Sequence, residues 1–470
     1  MQAFLDSILN VVSKANAYLS DYILVILLIG VGLFFTIKTR FVQIRCFGEG
    51  MKKVFGNIKL FGAKQQGGLS SFQALATAIA AQVGTGNIVG ASGAILIGGP
   101  GAIFWMWIIA FLGMATIYAE AVLAQETKVT NNNGEVEGGP VYYIKKAFPN
   151  GFGKFLAGFF AVAIILALGF MGSMVQSNSI AESCNTAFGI SGWVIGLIVA
   201  VVSAFIFIGG VNRLASVTEK LVPIMAVIFL LGGLVILAAR IKYVPATFGM
   251  IFKYAFTPNA LIGGGIGAAI KTAISQGAKR GLFSNEAGMG STPHAHAQAK
   301  VEKPHDQGVV AMVGVFIDTF VVLTMTALVV ISCLYVGNGI LAGAESTTYA
   351  TLLSGSGVSK TNAMQMAYSS VFGSGFGNGF VAVCLLFFAF STILGWNFFG
   401  KINVQYLFKN NKIAITLYMI IAVLFIFLGS LLSNDLVWEL TDFFNYLMVI
   451  PNALALLALN KLVTKSALKK

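Results

Sequence analysis

From Ala78 to Gly99 the sequence reads AIAAQVGTGNIVGASGAILIGG, without a charged residue. It is apolar enough for a membrane interior. Yet its middle, Gln82-Val83-Gly84-Thr85-Gly86-Asn87, sets two glycines around a hydroxyl, with two amides alongside. Glycine costs about 1 kcal/mol against alanine within a helix. In hydrocarbon, backbone groups released from helical pairing are tolerated only where they line a cavity or are buried in protein. The stretch is expected to be a transmembrane helix broken at its midpoint, its freed backbone available as ligand.

The surrounding chain fits such a helix. It is 57% hydrophobic and 10% charged, whereas soluble domains carry about 25% charged residues. The expected class is an all-α polytopic membrane protein. Segments of the length that crosses a bilayer, about 20 residues, fall at 21–37, 70–97, 102–125, 155–179, 192–210, 221–239, 260–277, 309–336, 379–399, 413–432 and 443–463, eleven in all. Between the first two lies the basic stretch 38–64, where Phe41, Val42, Ile44, Phe47, Met51, Val54 and Phe55 recur at helical spacing. This fits an amphipathic helix on the membrane surface or an ordinary basic loop. The net charge of +13 comes without a nucleic-acid motif and reads as basic cytoplasmic loops. Cys46, Cys184, Cys333 and Cys384 show no paired spacing and read as buried, unpaired thiols. Residues 1–17 carry Asp6 and lack a basic start, so no cleavable leader is expected there. With the N-terminus outside, 25 of the 30 Lys and Arg fall on the inner side. That bias sets an outside N-terminus and a cytoplasmic C-terminus.

The seventh segment is also glycine-rich, opening Gly263-Gly264-Gly265-Ile266-Gly267. Five helices separate its start from that of the second, so the two halves enter from opposite faces. Paired, glycine-interrupted segments at corresponding positions point to an inverted repeat with a transporter binding site between its halves; the blander reading is close helix packing through small residues. A half-helix starting near Gly86 offers free N–H groups and a positive dipole end, suited to a carboxylate. One ending near Val83 offers carbonyls, suited to a cation or an ammonium group. Together the breaks can hold a small zwitterion. Thr85, Asn87, Gln176, Asn178, Ser391, Thr392 and Asn397 are polar groups at membrane depth, and the adjacent hydroxyls of Ser391 and Thr392 suit a hard cation such as Na+.

Other polar residues carry alternatives. Asp318, in mid-segment, is expected to bind a cation, take up a proton or pair with Lys271, the pair being favoured. Glu120 is expected near the inner end of the third segment, snorkelling to the interface. His294, His296 and His305 share one polar stretch without nearby cysteines, a weak metal signal; the stretch around Ser284-Asn285-Glu286-Ala287-Gly288 reads as a gate under the site. An ion channel is the less favoured alternative, since it would need a continuous polar path and single broken helices argue against it; an enzyme would need an acid, base or nucleophile cluster at one depth, which the spans do not show.

GGLSSFQALATAIAAQVGTGNIVGASGA (67–94) and GAKRGLFSNEAGMGSTPHAHA (277–297) resemble the signatures of the alanine or glycine:cation symporter family, and length and helix count are similar along nearly the whole chain. The resemblance implies a LeuT-type five-plus-five inverted repeat with two broken helices, and inward symport of alanine or glycine with Na+, or with H+ in some members, across the plasma membrane. It implies an extra N-terminal helix and basic segment at 1–66, repeats at 67–240 and 241–470, and no cofactor beyond the coupling ion. Gly84, Thr85, Gly86 and Asn87 resemble the unwound substrate segment, with Gly263, Gly264, Gly265 and Gly267 as the other broken helix and Gln176 and Trp396 lining the pocket. The carbonyls of Ala80, Val83 and Phe388, with the hydroxyls of Ser391 and Thr392, are similar to the sodium site of the wider fold.

Overall fold

The computed structural model describes residues 2–56, 69–130, 136–256, 265–344 and 348–468. The principal helices are α1 (Ser7–Lys38), α2 (Phe47–Phe55), α3 (Ser71–Gln82), α4 (Gly86–Gly98), α5 (Ala102–Thr127), α6 (Gly151–Phe188), α7 (Gly192–Ile208), α8 (Gly210–Ala239), α9 (Gly265–Asn285), α10 (Pro304–Tyr335), α11 (Ser374–Leu407), α12 (Lys412–Gly429) and α13 (Asn434–Ala458). Among the described residues, eight helices are long and apolar enough to cross a membrane, or nine if α3 and α4, bent by 47°, form one span. The protein is an all-α polytopic membrane protein. The two other expected spans fall on α7, with 17 residues, and on α9, which carries Lys271, Lys279 and Arg280; neither passes on length and composition.

Local chemistry sets the helix ends. Ser70 and Gln73 close a reciprocal capping box on α3, and the Asn150 and Asn411 side chains accept backbone N–H groups at the starts of α6 and α12. Each satisfies donors that the first helical turn leaves orphaned. The first span begins well before Asp21. That carboxylate lies inside α1 because Lys271 at 3.1 Å and Ser275 Oγ at 2.5 Å neutralise and bond it. Residues 337–378, between two expected spans, carry the short helices Tyr349–Ser356 and Ala363–Phe372.

The helices sort into an inner and an outer set. Of the most apolar stretch of α5, 72% is buried inside the protein, against 22% for α12 and 28% for α8. On α7, α8 and α12 large side chains such as Phe205, Leu231 and Leu424 are exposed, as expected where lipid is the neighbour. α3 and α4 are buried almost throughout and sit at the centre. Their small side chains allow this: a Cβ at Gly395 of α11 would come within 3.1 Å of Ala81 Cα. α2 answers the question left by the basic stretch. It is a helix, and Gly50 brings it against the backbone of α10, where a Cβ would lie 2.7 Å from Val309 O. Residues 57–64 of that stretch, and the proposed 66/67 boundary, lie outside the described residues.

Candidate substrate and ion site

The helix breaks at Val83–Thr85. Val83 N–H makes the last bond of α3, to Ile79 O at 2.7 Å, and Val83 then turns to ψ 88°. The freed groups are taken up by amide side chains. Gly84 N–H donates to Asn87 Oδ1 at 3.0 Å, and both the N–H and the hydroxyl of Thr85 donate to Gln176 Oε1, at 3.1 and 3.0 Å. Gln176 Nε2 is buried with no partner among the described residues. A buried donor left unmade costs about 1–3 kcal/mol, so this one is poised for an acceptor. Two close approaches explain the glycines. A Cβ at Gly84 would collide with Thr392 Oγ1 and lie 3.1 Å from Gln176 Oε1; one at Gly86 would lie 3.0 Å from Phe283 Cδ1 and 3.1 Å from Ser284 Cα.

Four of the five expected ion ligands converge one turn away. Thr392 Oγ1 lies 2.9 Å from Ala80 O and 3.1 Å from Phe388 O; Ser391 Oγ lies 3.3 Å from Ala80 O and 2.8 Å from Phe388 O. Two carbonyls and two hydroxyls, all buried, form an oxygen cluster joining α3 to α11. Val83 is buried at the end of α3 but makes no bond to these hydroxyls among the described residues. Trp396, one turn beyond Thr392, donates its indole N–H to Glu286 Oε1 at 2.6 Å and packs edge-on to Phe283.

The expected second break falls only partly on described residues. Gly263 and Gly264 lie outside the described residues. Gly265 and Gly267 begin α9, which runs unbroken to Asn285. The irregular backbone follows α9: Glu286, Gly288 and Gly290 have φ of 58°, 92° and 81°, the left-handed region that suits glycine and strains Glu286. This segment adjoins the first break, since Gln82 Nε2 donates to Asn285 O at 2.7 Å.

Two carboxylates there correct the sequence reading, and a third adds to it. Lys271 is paired with Asp21 on α1, so it does not reach Asp318. Asp318 instead accepts Asn87 Nδ2 at 2.6 Å, Ser284 Oγ at 2.8 Å and Thr319 Oγ1 at 2.9 Å. It is fully buried and has no cationic partner among the described residues. Glu120 does not snorkel. It is fully buried on α5 and accepts Gly288 N–H at 3.2 Å, Gly290 N–H at 3.0 Å and Asn452 Nδ2 at 2.6 Å. Glu286, not weighed separately from the sequence, accepts Trp396 and a short bond from Ser291. The buried pair Arg280–Asp442, at 2.9 Å, was also invisible in sequence because its members come from distant helices. The one available signal was the 277–297 motif itself, which contains Arg280, Ser284 and Glu286.

The histidines of Pro293–Ala297 are structural. His294 Nδ1 is 2.7 Å from Ser291 O and its Nε2 is 2.9 Å from Asn403 Nδ2; His296 Nδ1 is 2.8 Å from Gln307 Nε2. Burial pushes His294 down to about 4 and His296 to about 3.

Residues 5–469 match the model of the Sodium:alanine symporter family. The chain is 42% identical over 455 residues to the sodium/alanine symporter AgcS of Methanococcus maripaludis, covering 97% of this chain and 95% of that one. It is 40% identical to the putative sodium/proton-dependent alanine carrier protein YrbD of Bacillus subtilis, covering 96% and 90%. It is 36% identical to the probable sodium/glutamine symporter GlnT of the same organism, covering 98% and 90%. These relatives are transporters, not enzymes, and the chain belongs to the sodium:alanine symporter family.

Proposed function

We propose that this protein is a secondary active transporter that moves a small neutral amino acid, alanine or glycine, into the cell together with Na+. The observation that carries the reading is the oxygen cluster of Ala80, Phe388, Ser391 and Thr392 lying against the break at Val83–Thr85. Four neutral oxygens at one buried point suit a hard cation. The N-terminal end of α4 near Gly86, with its positive dipole, suits the substrate carboxylate, and Gln176 Nε2 is a second donor for it. Thr85, Asn87 and Trp396 complete the proposed wall, and Val83 O is a fifth candidate ligand for the ion. Thr392 and Gln176 crowd Gly84, which favours alanine-sized side chains. Irregular backbone at 286–291 joins Gly263, Gly264, Gly265 and Gly267 as a candidate for the second break.

In the same reading the chain is a LeuT-type inverted repeat, 67–240 against 241–470, preceded by 1–66. It crosses the plasma membrane eleven times, with the N-terminus outside and the C-terminus in the cytoplasm. Na+ at the oxygen cluster ties α3 to α11 and favours the outward-open form. Substrate closes the outer side, and rocking of the two halves opens the inner side. Support comes from the relatives named for sodium and alanine. A second reading, H+ coupling, is favoured by one observation: Asp318 is a buried carboxylate bonded to the break through Asn87, with no cation beside it among the described residues. A buried carboxylate without a cation is a natural proton site.

The test is labelled alanine uptake into proteoliposomes under an inward Na+ gradient, with unlabelled glycine, serine, glutamine and leucine as competitors. Competition by glycine but not by leucine or glutamine is expected. Equal competition by leucine would reject the small-pocket reading.

A further inference from the structure

Away from the break, three ligand-bearing side chains that the sequence keeps far apart meet at the junction of α2 and α10. Cys46 precedes α2, Glu49 follows on the same helical face, and His305 is the second residue of α10. The Cys46 sulfur, a Glu49 oxygen and a His305 nitrogen all lie within 4.8 Å of one another, and His305 Nε2 is 3.5 Å from Glu49 Oε1. The close approach at Gly50 sets this convergence, because it presses α2 onto the first turns of α10.

The surroundings are arranged as a ligand set would be. Tyr118 OH on α5 lies 2.7 Å from His305 Nδ1 and its ring packs edge-on to the imidazole. That contact fixes which nitrogen faces the thiol and the carboxylate, the usual role of a partner behind a metal-bound histidine. Lys53 is drawn to Asp306 at 3.1 Å and reaches Glu49 only at 4.0 Å. Cys46 is buried and outside any disulfide, whereas His305 and Glu49 are partly accessible. An ion therefore has a path in from solvent and a sulfur ligand at the bottom.

We propose that Cys46, Glu49 and His305 form a binding site for a transition-metal ion of the zinc class that clamps α2 to the start of α10. A thiolate, an imidazole and a carboxylate are the donor types such ions take, with bonds of about 2.0–2.3 Å. Hard Mg2+ or Ca2+ would avoid the sulfur. Three protein ligands leave one position for water, and binding releases the Cys46 thiol proton to solvent. Glu49, at the accessible edge, closes the set by a side-chain rotation. The site is separate from the oxygen cluster and does not depend on which ion drives transport.

The test uses full-length protein in detergent, stripped with chelator and titrated with Co2+ and then Zn2+. Wild type is expected to bind one Co2+ with a sulfur-to-cobalt charge-transfer band that Zn2+ abolishes. Cys46→Ser should remove the band. His305→Gln should weaken binding tenfold or more, and Tyr118→Phe by about 10–100-fold. Alanine uptake by His305→Gln reports that the protein is folded. No band in wild type, or unchanged binding in both Cys46→Ser and His305→Gln, would overturn the site and leave a plain Glu49–His305 contact.

Discussion

Two buried stretches of irregular backbone lie side by side, Val83–Thr85 and Glu286–Ser291, and they satisfy their freed groups in opposite ways. At the first, neutral amides and hydroxyls do the work, and a donor on Gln176 is left over. At the second, Glu120 accepts two backbone N–H groups and Glu286 holds both Trp396 and Ser291. Buried charge is costly unless fully bonded. A segment held by two carboxylates is therefore a latch, closed by its own chain. A segment with a spare donor beside four oxygens is, in the proposed reading, where substrate and ion bind.

Substitution at Gly84 breaks this contrast most severely. Gly84→Leu drives a side chain into Thr392 and Gln176, and uptake is expected to vanish while membrane insertion persists; wild-type uptake would end the site reading. Next, Ser391→Ala with Thr392→Ala removes both hydroxyls of the oxygen cluster. The Na+ half-saturation of uptake should rise by about tenfold or more, equivalent to about 1.4 kcal/mol, with a smaller change in alanine half-saturation at high Na+. An unchanged Na+ dependence would move the ion elsewhere. Glu120→Gln sharpens the other side. It sets an amide NH2 against N–H donors, so unfolding of the purified protein should be easier by about 1–3 kcal/mol, with Na+ half-saturation unchanged.

The smallest effect is acid sensitivity. His294 and His296 are held neutral in the folded protein, at about 4 and about 3, against about 6.5 when unfolded. Between those values the unfolded chain binds more protons. Stability is therefore full above about pH 6.5 and falls as pH drops toward 4. His294→Gln should flatten that fall in a denaturation series; an unchanged slope would remove His294 from it.

What could be read from the sequence follows from the range of the interactions. The break at Gly84–Gly86 is local: glycine, hydroxyl and amide within six residues. Class and most spans follow from apolar run length alone. The irregular backbone at Glu286-Ala287-Gly288-Met289-Gly290 is not legible locally, because the glycine run at 263–267 looks more disruptive. What bends the chain there is positive φ at Glu286, Gly288 and Gly290, sustained by Glu120 and Asn452 from distant helices. Lys271–Asp318 was a plausible pair on charge and depth. Asp21, read as the edge of a span, turned out to lie inside α1 and took the lysine. Long-range pairing of this kind has no periodicity to betray it.

The central claim is that a cation sits at the oxygen cluster and drives uptake at the break. It is tested most directly by alanine accumulation in proteoliposomes containing only this protein, once with an inward Na+ gradient and once with an inward proton gradient and no Na+. Accumulation under Na+ alone, lost in the Ser391→Ala, Thr392→Ala protein, is the predicted result. Accumulation under protons alone would contradict it and transfer the coupling role to Asp318.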